Sequence, residues 1–230
     1  MSTIHRRGVL AGLTVFSGLV CVPSTARAQF GGTGLNLSSI LGKATDSALD
    51  QLAEPGAFYN DEEVRIGLPI GGKSRSGLLG SVMDLGAKTG LLDDVVRQIN
   101  DAAGMAAGEA KPIFRDAIDG LSFSDAPDII QESDGGTQYL RRSSNDALHE
   151  KLTPLVDDAL GELGVYKTVE SLSRSNSLIS QAGLNRETIN KTVTDQGLDG
   201  IFTYVGKEER AFRKNPLGGV KGALGDIFGN

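Results

Sequence analysis

Between Thr137 and Leu163 the apolar residues fall at Leu140, Ala147, Leu148, Leu152, Leu155, Val156, Leu160 and Leu163. That spacing belongs to a long helix with one buried stripe, since a strand would alternate instead. The same period recurs along the chain. Leu41, Ala44, Ala48 and Leu52 mark a helix from Ser38, stopped by Glu54-Pro55-Gly56. Leu92, Val95, Val96, Ile99, Ala102, Ala103 and Ala106 mark another, and Pro112 opens the next, with Ile113, Phe114, Ala117, Ile118 and Leu121 on its inner face. Short helices are expected over 78–87 and around Ile129 and Ile130, and longer ones over 165–178 and 185–204. Gly197 and Gly200 weaken the last of these, and a charged helical end follows over 207–214. Stripes of this kind are buried by packing helix on helix, so the fold class is all-α, a single helical bundle domain. Pro154 lacks a backbone donor and is expected to kink or split the long helix near Leu152.

One stretch breaks the helical rule. Val64, Ile66, Leu68 and Ile70 alternate with Arg65, Gly67 and Pro69. A short extended segment near residues 64–70 is expected there, confined by Pro69 to an edge or a packed loop.

The first 28 residues have the composition of a cleavable signal peptide. Arg6 and Arg7 form a positive start, Gly8 to Val22 carry no charge, and Ala26-Arg27-Ala28 offers small residues for cleavage before Gln29. The uncharged run is shorter than the about 20 residues a membrane-spanning helix needs. Arg6-Arg7 also suits the twin-arginine route, so general secretory and twin-arginine export both fit. The expected location is the periplasm, and no transmembrane span is expected. Residues 29–37 read as a flexible Gly-rich lead-in, 38–216 as the helical domain, and 217–230 as a Gly-rich tail. Within that tail the spacing of Val220, Leu224, Ile227 and Phe228 suits a short amphipathic helix.

Removing the leader narrows the chemistry. It takes three of the 23 basic residues and none of the 29 acidic ones, leaving a net charge near −9 that repels nucleic acid. It also takes Cys21, the sole cysteine, so the mature domain has no disulfide, thiol nucleophile or thiolate ligand. His149 is then the only histidine, and the chain has no tryptophan. About 200 residues nonetheless suffice for a real core without covalent staples.

Gly67-x-x-x-x-Gly72-Lys73-Ser74 satisfies the phosphate-binding P-loop formula. A P-loop joins a buried parallel strand to a helix, and the run before this one contains Arg65 and has no partner strands. The match is a decoy. His149 follows Asp146 by three residues, yet a di-metal bundle needs a second histidine. Asp195, Asp199 and Gly200 begin a calcium-loop pattern that fails at Gly197 and Gly206. The pairs Asp93-Asp94, Asp157-Asp158 and Glu208-Glu209 read as solvated helix faces. No metal and no cofactor are expected.

The segment with most functional promise is Thr137-Gln138-Tyr139-Leu140-Arg141-Arg142, opening a helix after Asp134-Gly135-Gly136. Free amides and two guanidiniums there suit an anion, with Thr137, Tyr139, Arg141 and Arg142 as ligand-binding residues. The competing account has Thr137 as an N-cap, Tyr139 packed and the arginines paired with acids.

Several motifs taken together resemble a bacterial family known as domain of unknown function 4197. They are Pro55-Gly56-Ala57-Phe58-Tyr59-Asn60, Val64-Arg65-Ile66-Gly67-Leu68-Pro69, Ala117-Ile118, Asp125-Ala126 and Thr137-Gln138-Tyr139-Leu140. Leu198-Asp199-Gly200-Ile201-Phe202 and Glu208-Glu209 with Arg213-Lys214-Asn215-Pro216 complete the set. The resemblance spans roughly 37–229 and implies an exported, all-helical protein, with no catalytic residues to carry over. The expected role is a non-enzymatic binding or envelope-associated interaction module, its partner an unknown small molecule, lipid or envelope protein. A periplasmic carrier of an apolar ligand or lipid, and a hydrolase using acids with Thr137 or Tyr139, are the alternatives.

Overall fold

The computed structural model describes residues 33–69, 91–122, 132–175 and 177–215. The leader, the P-loop residues Gly72 to Ser74, the helices expected over 78–87 and around Ile129, and the tail over 217–230 lie outside them. Among the described residues are eight helices and no strand: α1 (Thr33–Ala53), α2 (Ala57–Asn60), α3 (Leu91–Glu109), α4 (Lys111–Asp119), α5 (Gly135–Glu162), α6 (Val165–Ser175), α7 (Ser177–Gln181) and α8 (Arg186–Lys214). The all-α reading holds.

The predicted stripes are largely the buried ones, although Ala147 of α5 is exposed. Leu41, Ala44, Ala48 and Leu52 of α1, Val95, Ile99, Ala102 and Ala103 of α3, and Leu140, Leu148, Leu152, Val156 and Leu160 of α5 all face inward. α8 packs against α1, α3 and α5 and is the helix around which the bundle closes. Its inner face runs Ile189, Val193, Leu198, Ile201, Phe202 and Val205. Phe202 meets Phe114 of α4 edge-on at 6.1 Å between ring centres, the arrangement aromatic quadrupoles favour.

Several boundaries differ from the sequence expectation, each for a local reason. α1 begins at Thr33, inside the stretch read as a flexible lead-in. α5 runs unbroken through Pro154 instead of splitting. Pro154 is solvent-exposed, so the Glu150 carbonyl deprived of its helical partner, on another exposed residue, can take water. α8 continues through Gly197 and Gly200 to Lys214 in one piece. Gly200 is needed for close approach, since a Cβ there would lie 2.9 Å from the Phe58 ring and 3.2 Å from Val64 Cβ.

The segment after α2 keeps its predicted alternation: Val64 and Ile66 are buried, Arg65 and Gly67 exposed. A side chain supplies what a neighbouring strand would. Asn100 of α3 accepts from the Ile66 amide at 2.8 Å and donates to the Ile66 carbonyl at 2.9 Å, satisfying buried backbone without a sheet. The Gly67 amide donates to Gln196 of α8 at 3.0 Å.

Candidate functional site

The first turn of α5 has three amides free of helical partners and a positive dipole end. Asp134 is its N-cap residue, with Gly135, Gly136 and Thr137 following inside the helix. Thr137 is therefore not the N-cap. Its amide and hydroxyl both donate to Glu209 Oε2, each at 2.7 Å, and the Gly136 amide donates to Oε1 at 3.0 Å. Arg213, one turn further along α8, donates to Oε1 from Nε at 2.9 Å and from Nη2 at 2.7 Å. Glu209 is wholly buried. The anion anticipated at this helix start is thus the chain's own carboxylate. A Cβ at Gly136 would sit 2.8 Å from Glu209 Oε1, so a side chain there would push the buried carboxylate from its seat. Beside the cradle, Arg210 pairs with Asp134, whose other oxygen accepts from Gln138 Nε2 at 2.9 Å.

The four predicted ligand-binding residues do not converge. Thr137 is committed to Glu209. Tyr139 turns away from the cradle and its hydroxyl donates to the Ser122 carbonyl at 3.1 Å. Arg141 pairs with Asp199 of α8 and lies 5.4 Å above the Phe202 ring. Arg142 is exposed. The helical turn of about 100° per residue spreads them around α5.

Glu209 is not the solvated acid that its adjacency to Glu208 suggests. Glu208 is the outward member, accepting from Ser47 at 3.0 Å and Gln51 at 2.9 Å on α1. Periodicity held the clue: Leu198, Phe202 and Val205 run straight into Glu209 on the buried face, and Arg213 follows at the next turn. Asp157 is likewise no free surface acid. It accepts from Tyr166 at 2.7 Å and pairs with Arg186, whose hydrogen bond holds its carboxyl below the usual carboxylate range. Burial, and then the Asp157 hydrogen bond, push Tyr166 up to about 12. A parallel pair forms at Tyr204 and Asp61, 2.7 Å apart, where burial and the carboxylate raise Tyr204 to about 12 and the phenol lowers Asp61. Asp93 accepts from Tyr59 at 2.7 Å, and Arg97 and Arg65 lie over that tyrosine ring.

His149 pairs across helices rather than with Asp146. Its Nε2 lies 2.9 Å from Asp195 Oδ1, close enough for an ion pair but outside hydrogen-bond alignment, and Lys191 holds the other oxygen at 2.6 Å. Among the described residues no cluster of three or more His, Cys, Asp or Glu side chains is disposed to hold a metal ion. None of their helices is long and apolar enough to cross a membrane.

The concave feature nearest the predicted segment is a groove of about 410 Å³ between α4 and the start of α5. Ile113, Ala117, Leu121 and Leu148 are its apolar lining residues, and Tyr139, Asp116, Lys151 and Ser143 give it polar groups. A smaller cleft of about 310 Å³ lies between α6 and α8, with Tyr166 and Arg186 among its walls.

These features define an all-α bundle whose central helix is locked at its C-terminal end by a buried carboxylate. The chain belongs to the protein family of unknown function DUF4197, whose model matches residues 33–229. No curated protein and no solved structure matches it.

Proposed function

We propose that this protein is an exported, non-enzymatic binding module that takes a small molecule in the groove between α4 and α5. The observation that carries this is the groove itself: apolar side chains beside a few polar groups, in the volume range that one small ligand fills. Its site residue from the predicted set is Tyr139, which lines the groove while its hydroxyl donates to the Ser122 carbonyl; Thr137 and Arg141 are bonded elsewhere in the fold. The volume favours a small ligand over a whole lipid. The hydrolase reading has less support, because the Thr137 hydroxyl and the Glu209 carboxylate it donates to are both buried, away from where a substrate could reach them. Export to the periplasm rests on the composition of residues 1–28.

Native mass spectrometry of the exported protein tests the binding role. A retained small molecule, lost in an Ala147→Trp variant that fills the groove yet keeps the melting curve, supports it. Protein that is consistently empty, together with no thermal shift across a metabolite panel, removes it. Sequencing the N-terminus of periplasmic material tests export, with Gln29 as the expected first residue.

A further inference from the structure

We propose that the last two turns of α8, residues 207–214, form an ionic latch that opens as a unit while the rest of the bundle stays folded. The chemistry of α8 changes abruptly at Gly206. Before it, the helix is held by apolar burial from Ile189 to Val205. After it, the fully buried side chain is Glu209, and the half-buried ring of Phe212 is the main apolar contact.

Charge does the remaining work, and it reaches three separate parts of the fold. Lys207 meets Glu63 at 2.8 Å and Asp61 at 3.9 Å in the segment after α2. Glu208 takes Ser47 and Gln51 of α1. Arg210 pairs with Asp134, and Glu209 seats in the α5 cradle with Arg213 closing over it. Contacts of this kind are directional and short in reach, so they form together when the turns are seated and are lost together when they lift. Gly206 sits at the junction, where a helix interior is weakest for want of a side chain. Apolar helix and charged end are therefore separate units of local stability.

Native-state hydrogen exchange on the full chain tests this. In Glu209→Gln, amides over 207–214 are expected to exchange roughly ten- to hundredfold faster, the factor that losing charged hydrogen bonds implies. In the unmutated chain these amides should already open at a lower free energy, and with a weaker denaturant dependence, than those over 189–205, because they open without the core. The gentler Arg210→Met and Lys207→Met variants, at half-exposed partners, should accelerate the same block to a lesser degree, and they decide the matter if Glu209→Gln does not fold. Formate added to Glu209→Ala should slow exchange over 207–214 more than chloride at equal ionic strength. Equal opening free energies and denaturant dependences for 207–214 and 189–205, no acceleration of 207–214 in any of the variants, or equal effects of formate and chloride would overturn the latch.

Discussion

A carboxylate placed out of reach of water must have its hydration replaced, and Glu209 receives five hydrogen bonds in exchange, two of them from one guanidinium. Cutting it back to alanine leaves Arg213 and two amides facing an empty dry site. Glu209→Ala should therefore cost about 3–5 kcal/mol, a fall of roughly 6–20 °C in Tm by calorimetry. Two glycines on the same helix should respond in opposite directions. A Cβ at Gly197 meets Ile66 and Ala103 only at ordinary contact distances of 3.9 and 4.0 Å. Gly197→Ala should gain about 0.5–1 kcal/mol from helix propensity. Gly200→Ala drives its methyl into Phe58 and Val64 and should lose about 1–3 kcal/mol. Urea melts of the two variants side by side would show the contrast.

At the scale of the helix, α5 is the instructive case. Its stripe was legible because a long run at one period leaves little ambiguity, and Leu140, Leu148, Leu152 and Leu160 are all buried. Its continuity was not, because Pro154 signals a break unless the side it faces is known. With the residue in solvent, Pro154→Ala restores one amide bond at the cost of a looser unfolded chain. The balance should be a gain of about 2 kcal/mol, read from the shift in denaturation midpoint at constant slope. The candidate site divides in the same way. An anion at the start of α5 could be read from Asp134-Gly135-Gly136-Thr137, since amides and dipole are local properties. Its identity could not, because Glu209 lies 72 residues further on and joins Thr137 only through the packing of α8 on α5. Charge at a stripe position looks like the edge of a surface until the partner arrives.

For the molecule as a whole, stability should be eroded from both ends of the pH scale. Asp61 and Asp157 titrate below the ordinary aspartate range in the fold, so their contribution is present above that range and fades as pH falls through the lower folded values. Tyr166 and Tyr204 are raised from 10.0 to about 12. Their contribution is complete below pH 10 and is lost between 10 and about 12. Melting temperatures across that alkaline window should fall, and the double variant Tyr166→Phe with Tyr204→Phe should flatten the decline. Cradle geometry also ties two distant positions to a common fate. A methyl at 136 collides with Glu209 Oε1, but an aspartate at 209 withdraws its carboxylate by one methylene. Gly136→Ala and Glu209→Asp should each be harmful alone and partly cure one another when combined. Such mutual suppression would make 136 and 209 a pair whose tolerated substitutions can be found only together, so a screen of single changes would record both sites as immutable.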